Sequence, residues 1–429
     1  MGDREIKYED FLDLEYAPSE SDLICLFKIT PSKDLPIEKV AIRVAAESSN
    51  GTWTTLNIPD HIKALSAKVY QINGNYVKIA YPNELFEEGN MPQILSSIAG
   101  NVFGMKALLG LRLLDVKWPK NILQSFKGPQ FGINGIRKIL KVDKRPITAT
   151  VPKPKVGFYA EEHAQHGYEI WSGGVDLLKD DENLSNQKFN SFERRLELSM
   201  KMRDKAESET GERKSYLINI TAEVDEMRNR ASLVKDYGNE YVMVDILTIG
   251  WAAVQTLRKT CEDLGLAIHA HRAFHAAFDR SPDHGMSMKV LAEIARMQGV
   301  DQLHIGGLGK LAGDEKEVRD NYNKIASNSN EAGNEVLEQM WYGMKNVLSV
   351  CSGGVHPGII HRLMDLLSTD IAVQVGGGVL GHPEGTKSGA MALRQAINAY
   401  MENIDVNQYA KNHPELKQAL KLWGDETPI

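Results

Sequence analysis

Residues 173–183 read Gly-Gly-Val-Asp-Leu-Leu-Lys-Asp-Asp-Glu-Asn, a short apolar run ending in a lysine and three carboxylates. On a strand, side chains alternate between faces, so Lys179 and Asp181 point the same way. A bend at the strand end brings Glu182 round beside them. Two converging carboxylates suit a hard, oxygen-seeking cation such as Mg²⁺. Lys179 conflicts with that reading, because an ammonium repels a metal and an amine nitrogen is a poor ligand for Mg²⁺. Taken alone, Lys-Asp-Asp-Glu is a solvated charge run after a strand. As a metal site it needs Lys179 converted into an oxygen ligand, which carbamylation by CO2 does simply.

Other residues along the chain have chemical potential of their own. His269-Ala-His271-Arg272-Ala-Phe-His275 is either a buried histidine cluster or a set of ligands. His304 precedes Gly306-Gly307-Leu308-Gly309-Lys310, a glycine-rich loop presenting a lysine. Ser352-Gly353-Gly354 and Gln374-Val375-Gly376-Gly377-Gly378 are ordinary turns or places where backbone N–H groups approach an anion. A zinc site would want His or Cys in three or four positions, so the Asp/Glu pair favours Mg²⁺. Lys153, Lys155, Arg272, His304 and Lys310 would gather positive charge at one mouth of an acidic chain and draw anions in. Two glycine nests with these cations suggest a substrate bearing two phosphates.

These residues need a scaffold that presents them together. Phe126-Lys127-Gly128-Pro129 breaks the pattern and divides the chain into residues 1–128 and 129–429. Beyond it, apolar strand-like runs end near Val151, Lys179, Thr221, Val244, Ala270, Ile305, Ser352 and Gly376, with helix-like runs between them. Phe192, Leu196 and Met200 share one helix face, as do Leu393, Ile397 and Tyr400. Eight such units predict an α/β fold with a C-terminal (β/α)8 TIM barrel. A doubly wound sheet is the alternative, but it would place a glycine fingerprint after its first strand. That strand runs instead into Val151-Pro152-Lys153-Pro154-Lys155. In a barrel the catalytic groups sit at the C-terminal strand ends, and every group named above falls there.

Residues 1–128 read as a smaller α+β domain. Val40–Ala46 is expected as a strand running into Glu47 and the Asn50-Gly51 turn, with Thr52 and Trp53 closing a hairpin. Tyr76–Ala80 is a second strand, Leu108–Val116 is apolar-patterned, and Asn101 between glycines is a turn residue. The 429 residues are 42% apolar and 25% charged, with net charge −7, which argues against nucleic acid or an acidic membrane as partner. No apolar run is long enough to span a bilayer, and the opening residues carry early acids and no secretory signal. Three scattered cysteines fit a reduced, cytoplasmic setting.

The motifs AAESSNGTWTT, GNVFGMKAL, KPKVG, GGVDLLKDDEN, HAHRAFHAAFDR, HIGGLGKL, SGGVH and QVGGGVLGHPEG together resemble the large chain of ribulose-1,5-bisphosphate carboxylase/oxygenase (RuBisCO), from about Val40 to Gly389. The TVPKPKVGF wording and short C-terminus are most similar to the archaeal form III group. The resemblance implies a ferredoxin-like N-terminal domain and a Lys179 carbamylated by an activator CO2, which holds Mg²⁺ together with Asp181 and Glu182. It implies roles for Lys179 in taking the C3 proton of ribulose 1,5-bisphosphate, Lys310 in CO2 addition, His271 in proton movement and Lys153 in returning a proton to the product. Lys155, Arg272, His304, Ser352, Gln374 and Val375 become substrate-binding positions, and Gly353, Gly354, Gly376 and Gly377 the phosphate nests.

Glu47, Thr52, Trp53 and Asn101 match positions that the family's N-terminal domain contributes to a neighbouring subunit's site. A homodimer is then the minimal active unit, with higher assemblies of dimers open and no small subunit expected. CO2 and O2 are the implied co-substrates, and nucleoside salvage or a phosphoribulokinase the implied supply. Val151 stands where plant-type chains carry a threonine, and the stretch from His304 to Lys310 is one residue shorter than theirs. A RuBisCO-like isomerase or enolase on a sulfur-containing sugar phosphate, and a non-catalytic phosphate-binding scaffold, are the rival readings. Both would be expected to lack several of the polar groups named.

Overall fold

The computed structural model describes residues 5–308 and 314–428. They form two compact units. One comprises residues 1–127 with 274–297 and 327–344, and the other 128–273 with 298–326 and 345–429.

In the first unit, β1 (Leu23–Pro31), β2 (Lys68–Asn73), β3 (Tyr76–Tyr81) and β4 (Leu108–Lys117) form a sheet with the short strand Gly285–Met286. Strand β1 lies between β3 and β4 and is antiparallel to both. The expected strand at Val40–Ala46 is a helix instead, α1 (Ile37–Glu47). Val40 and Val44, with Ala41 and Ala45, are buried on one face at the i, i+4 spacing. A seven-residue apolar run does not distinguish strand from helix, and alanine's helix propensity settles this one. The hairpin expected after it is therefore absent. Gly51 follows the helix so closely that a Cβ there would lie 2.6 Å from that of Ala46.

In the second unit, eight parallel strands form one sheet: β5 (Ile147–Thr150), β6 (Leu177–Lys179), β7 (Ser215–Leu217), β8 (Tyr241–Asp245), β9 (Ala267–His271), β10 (Gln302–Gly306), β11 (Leu348–Cys351) and β12 (Ile371–Val375). Their order is β8-β9-β10-β11-β12-β5-β6-β7. The sheet closes where Met243 on β8 bonds Ile218 and Ile220 just beyond β7, at 2.8 and 3.0 Å. This is the expected barrel. The strand ends fall where the sequence predicts, except that β7 stops at Leu217 and reaches Thr221 only through an isolated bridge at Asn219.

Ile147, Ala149, Leu177, Leu217, Tyr241, Met243, Ala267, Leu348, Val350 and Ala372 cluster as the barrel core. Outside lie α2 (Ala160–Ser172), α3 (Phe192–Thr210) and α4 (Thr386–Met401). Phe192, Leu196 and Met200 are buried as expected, and burying such a side chain stabilises by about 1.5–3 kcal/mol. Asp176, just before β6, ties that strand to β5. It takes Arg145 on both oxygens at 2.7 Å and the Thr148 amide and hydroxyl at 2.8 Å. No helix among the described residues is long and apolar enough to cross a membrane.

Candidate active site

Strand β6 delivers Lys179 at its last position with the side chain 1% exposed. Asp180 points the opposite way, into a buried clamp. Its Oδ1 accepts from Tyr216 Oη at 2.5 Å and sits 3.2 Å from His163 Nε2, while its Oδ2 accepts from Arg195 Nε at 3.2 Å and the Asn219 amide at 3.0 Å. Burial alone would raise the Asp180 pKa, but Arg195, His163 and Tyr216 overcome it and hold the carboxyl at about 2. With Asp180 anchored outward, its neighbours Lys179 and Asp181 must project from the other face.

Asp181 accepts from Lys153 at 2.7 Å, and Glu182 from Lys155 at 3.0 Å. The two lysines after β5 thus meet the two carboxylates after β6. Burial opposes ionisation of Glu182, yet its backbone hydrogen bonding and the Lys155 ammonium keep it well below the usual carboxylate range. The Asn219 side chain donates to the Glu182 carbonyl at 3.3 Å, so the end of β7 also braces this loop. Burial pushes the Lys179 amine down, against the pull of Glu182, Asp245, Asp181 and Asp180. Its Nζ donates to the Asp180 carbonyl at 2.7 Å.

His271 ends β9, with Nε2 3.8 Å from Glu182 and Nδ1 2.9 Å from Asp245 at the end of β8. An ionised carboxylate can only accept, so the ring proton lies on Nδ1 and Nε2 is bare. The Ala273 amide points at the same nitrogen as a donor, at the longer distance of 3.2 Å, and the Nδ1–H tautomer leaves that amide unaccepted. Burial and Lys179 lower the His271 pKa. His304 on β10 stacks edge-on to His271 at 4.9 Å and meets Ser352 Oγ at 2.9 Å. Arg272 is buried beside them in sequence.

After β11, Gly353 and Gly354 take φ of +96° and +77°, which side chains rarely adopt. The Gly376–Gly377 run follows β12, and a Cβ on Gly378 would lie 2.7 Å from the Val355 carbonyl. The two glycine loops therefore adjoin. Gln374 Oε1 is buried without a hydrogen-bond partner, and Val375 is fully buried.

Lys310 lies outside the described residues. In the first unit, Asn101 donates to Glu47 at 3.4 Å, while Thr52 and Trp53 follow α1 and Trp53 is 83% exposed. Asp245 and Asp180 escaped the sequence reading. An acid closing the apolar run Tyr241–Val244 was the available signal for Asp245, since the C-terminal strand end is the functional end of a barrel.

Residues 10–122 match the family model of the ribulose bisphosphate carboxylase large chain, N-terminal domain, and residues 132–423 that of its catalytic domain. The chain belongs to the RuBisCO large-chain family. A ribulose bisphosphate carboxylase of Pyrococcus furiosus is 51% identical over 97% of this chain and 98% of that protein. The dimeric archaeal RuBisCO of Hyperthermus butylicus superposes with a TM-score of 0.93 at 48% identity, covering 98% of this chain and 100% of that one. The octameric RuBisCO of Pyrococcus horikoshii, solved with sulfate, gives 0.92 at 48% identity, covering 98% and 97%. Within this RuBisCO barrel the polar groups occupy the ends of β5, β6, β8, β9, β10 and β11, the face where TIM-barrel chemistry takes place.

Proposed function

We propose that this chain is a ribulose-bisphosphate carboxylase. It adds CO2, or O2, to the enediolate of ribulose 1,5-bisphosphate, and carboxylation followed by hydration and C2–C3 cleavage gives two 3-phosphoglycerates. The reading is carried by a buried lysine ending a barrel strand, followed by two carboxylates that each already face a cation.

The donor chemistry fits Mg²⁺ once Lys179 is carbamylated. Among the described residues no three His, Cys, Asp or Glu side chains group closely enough to hold a metal. Asp181 and Glu182 therefore need one more anionic oxygen donor, which a carbamate on Lys179 supplies. When bound, Mg²⁺ supplies Lewis-acid stabilisation of the enediolate charge. Carbamylation joins the neutral Lys179 amine to CO2 and releases one proton to solvent. Burial, which disfavours the ammonium, supports that step.

Lys179 in its carbamylated form takes the C3 proton, and Lys153 returns a proton to the product carbanion. His271 is poised to shuttle protons at Nε2 because Asp245 holds its Nδ1–H. Lys155, Arg272, His304, Ser352, Gln374 and Val375 bind substrate, Gly353, Gly354, Gly376 and Gly377 cradle its phosphates, and Lys310 assists CO2 addition. Glu47, Thr52, Trp53 and Asn101 complete the site of a second copy, which makes a homodimer the smallest active form. The chain first passes from one unit to the other at residue 128, with 274–297 and 327–344 returning to the first.

The test is incubation of the purified protein with Mg²⁺, ribulose 1,5-bisphosphate and labelled CO2. Label is expected in 3-phosphoglycerate. Folded protein that leaves the phosphoglycerate unlabelled overturns the reading.

A further inference from the structure

Beneath the proposed substrate groups lies a second buried polar layer that the chemistry above does not use. His269 projects from β9 and Gln302 from β10, each two residues before a site residue and so on the same inward face. His269 Nδ1 is 2.8 Å from Gln302 Oε1. His269 Nε2 is 3.0 Å from His304 Nε2, and His304 Nδ1 is 2.9 Å from Ser352 Oγ. Gln302 and His269 are fully buried, and His304 is 2% exposed.

Two imidazole nitrogens 3.0 Å apart must share one proton, since two lone pairs or two N–H groups would repel. Burial holds both rings neutral, with neighbouring cationic groups adding to the effect. The chain therefore has only two self-consistent directions. With the amide oxygen facing His269, that ring carries its proton on Nδ1 and its Nε2 is bare. His304 must then donate from Nε2, which leaves its Nδ1 bare to accept from Ser352. The opposite direction needs the amide turned over. Here the amide nitrogen is directed to the Tyr241 hydroxyl, at 3.5 Å.

We propose that Gln302 is a positioning residue that sets the direction of this chain, so that the Ser352 hydroxyl donates inward and meets a ligand as an acceptor only. Ser352 then selects a ligand hydroxyl over a carbonyl or phosphate oxygen at the same place. This consequence for selection rests on the proposed reading that Ser352 faces the sugar substrate. The direction of the chain does not.

Neutron diffraction from the deuterated full-length protein, free of substrate, tests the direction. Deuterium is expected on His269 Nδ1, His304 Nε2 and between Ser352 and His304. Deuterium on His269 Nε2 and His304 Nδ1 overturns the proposal whether or not the protein turns over ribulose bisphosphate. In Gln302→Met the direction loses its determinant. His304 should show both tautomers by ¹⁵N NMR, and kcat/KM should fall by about tenfold, mostly in KM. Tyr241→Phe removes the hydroxyl toward which the amide nitrogen is directed, so it should admit the second tautomer as well, to a smaller extent than Gln302→Met. A Gln302→Met protein that keeps His304 wholly protonated on Nε2 overturns the role of Gln302.

Discussion

Replacing Arg195 by Met removes the cation that faces Asp180 inside the protein. Both side chains are 0% exposed, and the guanidinium reaches Asp180 at 3.1 and 3.2 Å while also donating to the Asn190 and Ser185 carbonyls. The Asp180 carboxylate would keep Tyr216, His163 and the Asn219 amide but lose its only full countercharge among these partners. Breaking a buried pair from one side costs about 3–5 kcal/mol, because a charge stays behind in a medium that solvates it poorly. The slope of unfolding in urea grows with size and exceeds the ~3 kcal/mol per molar of small proteins for 429 residues, so this lowers the midpoint by about 1 M. Arg194 offers a control on the same helix: it is 49% exposed and its partner Glu161 62% exposed, so Arg194→Met should shift that midpoint by only a small fraction as much.

The cycle with Asp180→Asn isolates the pair. Each single change strands a polar partner and the double change strands less, so the double variant should be more stable than the summed singles by about 2–3 kcal/mol. The same clamp turns Lys179 and Asp181 toward the site, so Arg195→Met should also lose carboxylase activity in conditions where it remains folded. Additive single effects, within about 0.5 kcal/mol, would refute the reasoning, since they would mean that Asp180 is already well solvated without Arg195.

Three further outcomes are expected. Lys179→Ala should abolish label incorporation into phosphoglycerate while leaving the circular dichroism spectrum unchanged; retained turnover rules out the carbamate. Asp245→Asn should lower kcat by about 10²-fold with little change in the urea midpoint, because the amide no longer enforces a proton on His271 Nδ1. Asp176 is held below the usual carboxylate range by Arg145 despite the opposing effect of burial. Its folded pKa lies below the unfolded value of about 3.9, so its stabilisation is complete above that pH and fades as pH falls through the folded pKa. Asp176→Asn should therefore shrink the difference between urea midpoints measured at pH 5 and pH 3.

The barrel and most of its polar strand ends were legible in the residues alone. Short apolar runs separated by helix-length stretches repeat at a spacing that few folds share, and Lys179, Asp181 and Glu182 lie too close in the chain for any fold to scatter them. The glycine run after β11 is a local signal too, because left-handed backbone shows in residue type, while the run after β12 answers a close approach to the Val355 carbonyl. Local pattern failed at Val40–Ala46, where a run of small and branched apolar residues suits either period and packing on one face chose the helix.

What the chain could not reveal by itself is who faces whom across the barrel. Lys153 meets Asp181 across 28 positions, His271 meets Asp245 across 26, and Gln302 meets His269 across 33. Such pairs depend on the relative register of parallel strands, which is set by closing all eight around one core rather than by any strand's own sequence. The residue types needed for the chemistry were written locally. Their protonation states and partners follow from that closure, because burial and distance exist only after the strands have met.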